Sequence, residues 1–426
     1  MTVSATPLLT GLEGRLPALR ELYRDLHAHP ELSFQEVRTA ALVADRLREQ
    51  GWEVTEQVGG TGVVGVLGTG EGPVVLLRAD MDGLPVREET GLPYASTVTA
   101  QDGDGDEVPV MHACGHDMHV TCLLGATALL AANRDAWRGT VVAVFQPAEE
   151  VGGATAMIDD GFLERFPRAG ICLGQHVAPA PAGFVGTRPG PVMAASDSLR
   201  VRLFGRGGHG STPEATVDPV VLAAAVIMRL QTVVSREVGA GQTAVVTVGS
   251  VHSGTKENII PDTADLSINI RSTTAAVRER VLAAVERIIR GEAAASGAPK
   301  EPEIEAFHCF PVTFNDPVAT GTVQAGLTAA LGDGRVFTLP QAITGSEDFG
   351  TFGTALGVPS VFWYFGGTDP ARFEGFDPGG ILENGIPPEI PGNHSSLFAP
   401  APDPTIGVGV TSLLAAAAQW LIPVAP

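Results

Sequence analysis

From Leu12 to Gln50 apolar side chains recur at helical spacing, first Leu16, Leu19, Leu22, Tyr23 and Leu26, then Ala40, Leu42, Val43 and Leu47. This spacing predicts two helices parted near His29-Pro30. The period then changes. Three short β-branched runs bounded by glycine turns follow, at 52–54, 62–67 and 73–78, and each reads as a strand. A helical stretch from Val120 to Asn133 and a strand from Gly139 to Phe145 complete a strand–helix–strand alternation. The opening part of the chain is therefore expected to be α/β, with a largely parallel sheet covered by helices.

Near Met193 the texture changes. Strand Ser198 to Gly205, helix Val217 to Arg236, strands Thr243 to Val251 and Thr263 to Ser272, helix Thr274 to Glu292 and strand Glu303 to Cys309 follow in turn. A β-α-β-β-α-β order describes a ferredoxin-like α+β sandwich. Beyond it the α/β alternation resumes, with Val318 to Leu331 helical and Val358 to Tyr364 strand-like. The expected organisation is one discontinuous α/β domain, residues 1–192 and 310–426, interrupted by an inserted lid at 193–309. The end of the chain, Ile406 to Pro426, carries no charged side chain and mimics a membrane span. Its glycines, the polar Thr411, Ser412 and Gln419 and the break at Pro423 favour a buried helix of about three turns instead.

Composition narrows the partners more than the fold. The 426 residues, 44% hydrophobic and 18% charged with 52 Gly and 32 Pro, describe a turn-rich globular chain rather than a disordered or coiled-coil one. Lys and Arg number 27 against 48 Asp and Glu, a net charge of −21. That charge repels phosphate backbones and anionic membrane surfaces, so neither nucleic acid nor membrane is an expected partner. Cys114, Cys122, Cys172 and Cys309 form no C-x-x-C pair and are too scattered to staple the chain, which suits a reducing cytoplasm. The N-terminal residues break their apolar runs with charges, so no secretory signal is expected.

Candidate chemistry is densest in Met111-His-Ala-Cys-Gly-His-Asp-Met-His119, a thiol and three imidazoles just before a helix. Cys114 and His116 lie two apart, so in an extended loop both can turn to one side and share a metal. The strand 141–145 ends in Gln146-Pro-Ala-Glu-Glu150, placing Glu149 and Glu150 where ligands of open α/β sheets gather. A further strand-like run, Ala169 to Gly174, leads to His176, and His394 lies in Gly392-Asn-His-Ser-Ser396. One thiolate, three imidazoles and a carboxylate suit Zn²⁺, Mn²⁺, Co²⁺ or Ni²⁺ better than Mg²⁺ or Ca²⁺. Asp80 and Asp82, after a strand-like run, are placed to orient ligating imidazoles. A competing reading makes Cys114 a nucleophile with His116 or His119 as base, but it leaves the Glu pair idle.

These pieces resemble the M20 metallopeptidases, in particular their aminoacylase/hippuricase-like amidohydrolase branch. The resemblance runs through Leu26-His-Ala-His-Pro-Glu-Leu-Ser33, Arg78-Ala-Asp-Met-Asp-Gly-Leu-Pro85, Cys114-Gly-His-Asp-Met-His119, Gln146-Pro-Ala-Glu-Glu150, Gly207-Gly-His-Gly210, Asn258-Ile-Ile-Pro261 and Gly345-Ser-Glu-Asp-Phe349. It implies a metal-binding catalytic domain with an inserted ferredoxin-like lid and dimerisation domain. It further implies two divalent cations per subunit, Zn or Mn with Co or Ni as alternatives, held by Cys114, His116, Glu150, His176 and His394. Glu149 is then the general base, His209 an oxyanion donor that often reaches a neighbouring subunit's site, and Asn258 and Arg271 the grip on a substrate carboxylate. The implied activity is hydrolysis of N-acyl amino acids by a cytoplasmic homodimer or higher homo-oligomer. Peptide cleavage as a dipeptidase or carboxypeptidase, or a non-catalytic metal-binding role, are the alternatives. The chain departs from the usual pattern at Val151, Gln175, Asn393 and Ala399, and none of these is a proposed ligand.

Overall fold

A computed structural model describes residues 2–376, Ile381 and 385–423. The chain forms two compact units. The first comprises Met1–Val192, Phe314–Gln341 and Asp348–Pro426, the second Met193–Thr313 and Ala342–Glu347.

In the first unit an eight-stranded sheet runs in the order Glu53–Val58, Gly62–Gly68, Thr140–Gln146, Val74–Asp80, Ile171–Pro181, Ser360–Thr368, Val185–Thr187, Val336–Thr338. Its central four strands are mutually parallel, while Gly62–Gly68 pairs antiparallel with Thr140–Gln146. Burial on both faces explains the continuous apolar runs: every residue of Ser360–Thr368 is buried. The register sets Asp80 opposite Gln146 and Arg78 opposite Gly174. The strand ends leading to Asp82 and Glu149 and the stretch carrying His176 thus lie side by side.

Helices Leu12–Ala28 and Val37–Glu49 occupy the places that the spacing predicts. The helix expected from Val120 starts at His116 and runs to Ala132, because Gly115 turns the chain into it. It is buried almost all round, as its lack of a polar face requires. The final helical stretch, Pro402–Leu421, spans 20 residues with a non-helical break at Asp403; it is longer than the three turns expected, because the uncharged run stays helical from Ile406 to Leu421 and a further turn precedes it. It and the stretch Pro219–Glu237 are long and apolar enough to cross a bilayer, yet Ile406, Val410 and Leu413 to Ala418 are buried in the main core.

The second unit orders its strands Ala244–His252, Thr263–Ser272, Ala195–Phe204, Glu303–Phe310, all antiparallel. With helices Pro219–Thr232 and Ala275–Ala295 on one face, this is the ferredoxin-like arrangement. Asp218 and Thr274 cap the two helices, accepting from Val220 N and Val277 N. Thr263–Ser272 alternates strictly: Ala264, Leu266, Ile268 and Ile270 enter the core, and Asn269 and Arg271 lie on the other face. Residues 342–347 join this unit through Ala194, whose N–H donates to the carbonyls of Ile343 and Gly345. No hydrophobic period marks that return. The hairpin Thr99–Gln101 with Glu107–Pro109 is likewise too short for periodicity to show.

Candidate metal centre

Gly115 separates Cys114 from His116 with φ +86°, and a Cβ there would stand 2.5 Å from Val177 Cγ1. Only glycine permits this turn. It achieves by a left-handed residue what an extended loop was expected to do. Donor atoms of Cys114, His116 and His176 lie within 4.8 Å of one another, and Cys114 Sγ is 3.4 Å from His176 Nε2. Cys114 also groups with Glu150 and His394, and His116 with Glu149 and Glu150. His176 comes from within Ile171–Pro181, not from beyond a strand end.

The imidazoles are tied from behind. His116 Nδ1 donates to the Asp82 carbonyl at 2.9 Å and to its Oδ1 at 3.1 Å, and Nε2 is buried without a hydrogen-bond partner. His176 Nδ1 donates to Val177 O at 2.7 Å, turning Nε2 toward Cys114. A buried ring nitrogen with an unused lone pair is costly unless a cation takes it, so the donor set fits a metal. His119 differs. Its Nδ1 donates to Asp80 Oδ1 at 2.5 Å and its Nε2 accepts from Val177 N at 2.8 Å, so both nitrogens are engaged. Asp80 therefore orients His119, and Asp82 orients His116.

Glu149 and Glu150 leave the strand Thr140–Gln146 through Ala148, a left-handed residue with φ +52°. Asp82 catches the turn: Oδ1 accepts from Glu149 N at 3.0 Å and Oδ2 from Glu150 N at 3.2 Å. Burial pushes the Asp82 carboxyl up, but hydrogen bonds from His116 and Ser33 hold it below its ordinary range. Burial, then the charge of Glu150, pushes the Cys114 thiol up. That opposes a free nucleophile, whereas a coordinated thiol is deprotonated by its cation. His394, with φ +69°, places Nε2 3.1 Å from Glu150 Oε1. Contact with Cys114 first, and then with Glu150, raises its imidazole to about 10, a proton that metal binding would release.

Two of the unusual residues have partners. Asn393 Nδ2 donates to Cys114 O at 3.0 Å and Val177 O at 3.3 Å, clipping three ligand-bearing segments together. Gln175 accepts from Trp363 Nε1 and donates to Gly409 O. The sequence reading missed Ser33 and Glu36, polar residues that reach this turn from a short segment between helices. The stretch from His29 to Thr39 mixes polar and apolar residues, so nothing in it singles out Ser33 or Glu36.

The remaining candidates sit in the second unit. His209 lies in a two-residue ladder, Gly208–His209 against Ile259–Ile260, and Gly210 N donates to Asn258 O, so His209 and Asn258 are neighbours there. Ser211 N donates to His209 Nδ1 at 3.1 Å. The neutral ring therefore carries its proton on Nε2, the form an oxyanion donor needs. Arg271 lies apart on the sheet, donating from Nε to Asn269 Oδ1 at 3.1 Å and from Nη1 to Thr344 O at 2.8 Å.

The sequence profile of peptidase family M20/M25/M40 matches residues 76–381. Hippurate hydrolase of Campylobacter jejuni is 39% identical over 350 residues, covering 81% of this chain and 87% of that one. Thermostable carboxypeptidase 1 of Saccharolobus solfataricus is 36% identical over 352 residues, covering 81% and 85%. The crystal structure of the Bacillus subtilis YxeP protein, described as a dinuclear metal-binding peptidase, superposes with a TM-score of 0.73 at 29% identity, covering 96% and 99%.

Proposed function

Because the chain belongs to peptidase family M20/M25/M40, we propose that it hydrolyses the amide bond of N-acyl amino acids, using two divalent cations held by Cys114, His116, Glu150, His176 and His394. The observation that carries this reading is the sharing of Cys114 between two donor groups, with Glu149 beside Glu150 on the adjoining turn. Zn²⁺ or Mn²⁺ suits the donors best, with Co²⁺ or Ni²⁺ as alternatives. When bound, the cations supply Lewis acidity and lower the pKa of the attacking water toward neutrality. Glu149 takes the proton of that water at its carboxylate and passes it to the departing nitrogen. Glu150 serves as ligand, since a carboxylate spent on a cation is a poor base. His209 Nε2–H donates to the carbonyl oxygen as it gains charge, and Asn258 and Arg271 hold the substrate carboxylate.

Similarity to a hippurate hydrolase supports an N-acyl amino acid, while similarity to a carboxypeptidase supports a peptide as the alternative substrate. The buried, upward-shifted Cys114 thiol weighs against cysteine catalysis. The second unit (193–309 in the sequence reading) serves as lid and dimerisation domain in this proposal. Exposed Val220, Val221 and Met228 on its helix, and Val245 and Val251 on its edge strand, support a homodimer joined there. Cys114, Cys122, Cys172 and Cys309 are all free thiols, which supports a cytoplasmic location. The test is metal analysis of the purified protein with hydrolysis of an N-acyl amino acid panel before and after chelation. Turnover that survives complete chelation would overturn the proposal.

A further inference from the structure

We infer that Glu36 is a positioning residue for the general base: with Asp82 it forms a two-carboxylate cradle for the backbone amides of residues 148–150, and so aims Glu149. This rests on the reading of Glu149 as the base.

Three consecutive N–H groups are caught by two buried side chains. Ala148 N donates to Glu36 Oε1 at 2.7 Å, Glu149 N to Asp82 Oδ1 at 3.0 Å and Glu150 N to Asp82 Oδ2 at 3.2 Å. A left-handed residue followed by right-handed ones turns successive amides to one side and makes an anion-binding concavity. Here the chain's own carboxylates fill it. The cradle is itself tied down: Thr61 Oγ1 donates to Glu36 Oε2, Ser33 Oγ to Asp82 Oδ2 at 2.7 Å, and Ala40 N to the Glu36 carbonyl at 2.9 Å.

Glu36 is fully buried, and burial together with the nearby Asp82 carboxylate raises its pKa to about 7. An ionisable group is expensive to place there, and among the described residues it belongs to no group of donors that could hold a metal. What it holds is the one left-handed alanine on the path to Glu149, a conformation that persists only when its surroundings impose it. Glu149 follows directly, so a turn that relaxes moves the reacting carboxylate. A misplacement of about 1 Å is enough to lower turnover about 10²-fold.

The test compares Glu36→Ala, Glu36→Gln and Glu149→Gln in the metal-loaded full chain. It reads kcat and KM for one N-acyl amino acid, metal stoichiometry, and hydrogen exchange of the peptide 146–152. Glu36→Ala should lower kcat about 10–100-fold per folded, metal-loaded chain, leave KM within about twofold, and speed exchange in the turn. Glu36→Gln keeps an acceptor for Ala148 and a polar partner for Thr61, so it should recover kcat to within about threefold. Full kcat in Glu36→Ala, or Glu36→Gln as impaired as Glu36→Ala, overturns the inference. If Glu36→Ala does not fold, Thr61→Val frees one side of the carboxylate and should lower kcat about 3–10-fold with faster exchange. Unchanged kcat in that variant overturns the inference as well. Glu149→Gln separates the two failures. Near-normal turnover there refutes the base itself, whereas an inactive Glu149→Gln beside a fully active Glu36→Ala refutes only the cradle.

Discussion

Most of the candidate residues of the first unit are buried and those of the second are open, with His394, exposed in the first unit, as the exception. In the first, Cys114, His116, Glu149 and His176 are 6%, 0%, 6% and 7% exposed, and Asp82, Val177 and Asn393 fix their far sides. In the second, His209 and Asn258 are exposed on a short ladder, and Arg271 is half-buried on an open sheet face. A cluster that concentrates charge at low dielectric has to be built in advance, because reorganising it during the reaction would cost what the preorganisation saves. Residues that grip a substrate must be reachable before it arrives. The contrast predicts that damage in the first unit removes turnover or metal outright, and damage in the second weakens steps that need the substrate in place.

The largest effect should come from Glu149→Gln, which cannot take the proton. A fall in kcat of about 10³–10⁴-fold with unchanged metal content is expected. Loss of metal with it would mean that Glu149 is a ligand and the roles of the Glu pair are reversed. Next, His209→Ala should lower kcat about 10²–10³-fold and leave metal content intact, since a donor to developing charge acts mainly in the transition state. Mixing His209→Ala with Glu149→Gln subunits checks whether the donor crosses between subunits: partial recovery says it does, and none after proven exchange says it serves its own chain.

How far the sequence could foresee this depended on the residue. Strands buried on both faces announce themselves as apolar runs, and helix and strand periods placed Val74–Asp80, Thr140–Gln146 and Thr263–Ser272 to within two residues. The spacing of Cys114 and His116 and the adjacency of Glu149 and Glu150 pointed to four residues whose donor atoms the fold brings into neighbouring groups. Spacing could not distinguish His116 from His119, because the choice depends on which nitrogen already has a partner, and His119 is used up by Asp80 and Val177. Nor could it find Glu36, whose partner is a backbone amide 112 positions away.

A third experiment sharpens the contrast through pH. His27 is buried with Nδ1 2.6 Å from Asp117 Oδ2 and Nε2 3.1 Å from Glu88 Oε1. Tyr23, Tyr94 and His112 also face it. Burial opposes its charge, but Asp117 and then Glu88 raise it from 6.5 to about 9. The folded value lies above the unfolded one, so the stabilisation is fully present below pH about 6.5 and is lost as pH rises through about 9. The difference between those two values sets a ceiling of ~3 kcal/mol. At constant metal saturation, the gap in unfolding midpoint between the parent chain and His27→Gln should be wide at pH 6 and narrow by pH 9.5. A gap of constant width would show that the buried imidazole does not titrate.

The smallest effect is expected at Arg271, and it tests whether the open face of the second unit is a grip at all. Of the five guanidinium donors, the chain uses Nε for Asn269 and one proton of Nη1 for Thr344 O. Asn269 is held in turn, donating to Ser196 Oγ at 3.0 Å and Ser198 Oγ at 3.2 Å. The plane of the fork is thereby fixed while other protons stay available for a carboxylate. Arg271→Ala should then raise KM about 10–100-fold with kcat changed only a few-fold, the signature of binding shared by ground and transition states. Arg271→Lys should recover little, because a point charge cannot replace a planar fork. Asn269→Ala leaves the charge but frees its orientation, so KM should rise only about 3–10-fold. If Arg271→Ala instead lowers the unfolding midpoint and leaves KM alone, the residue is a strut for the returning segment Ala342–Glu347. The distinction between a prebuilt centre and a substrate-dependent grip would then rest on His209 and Asn258.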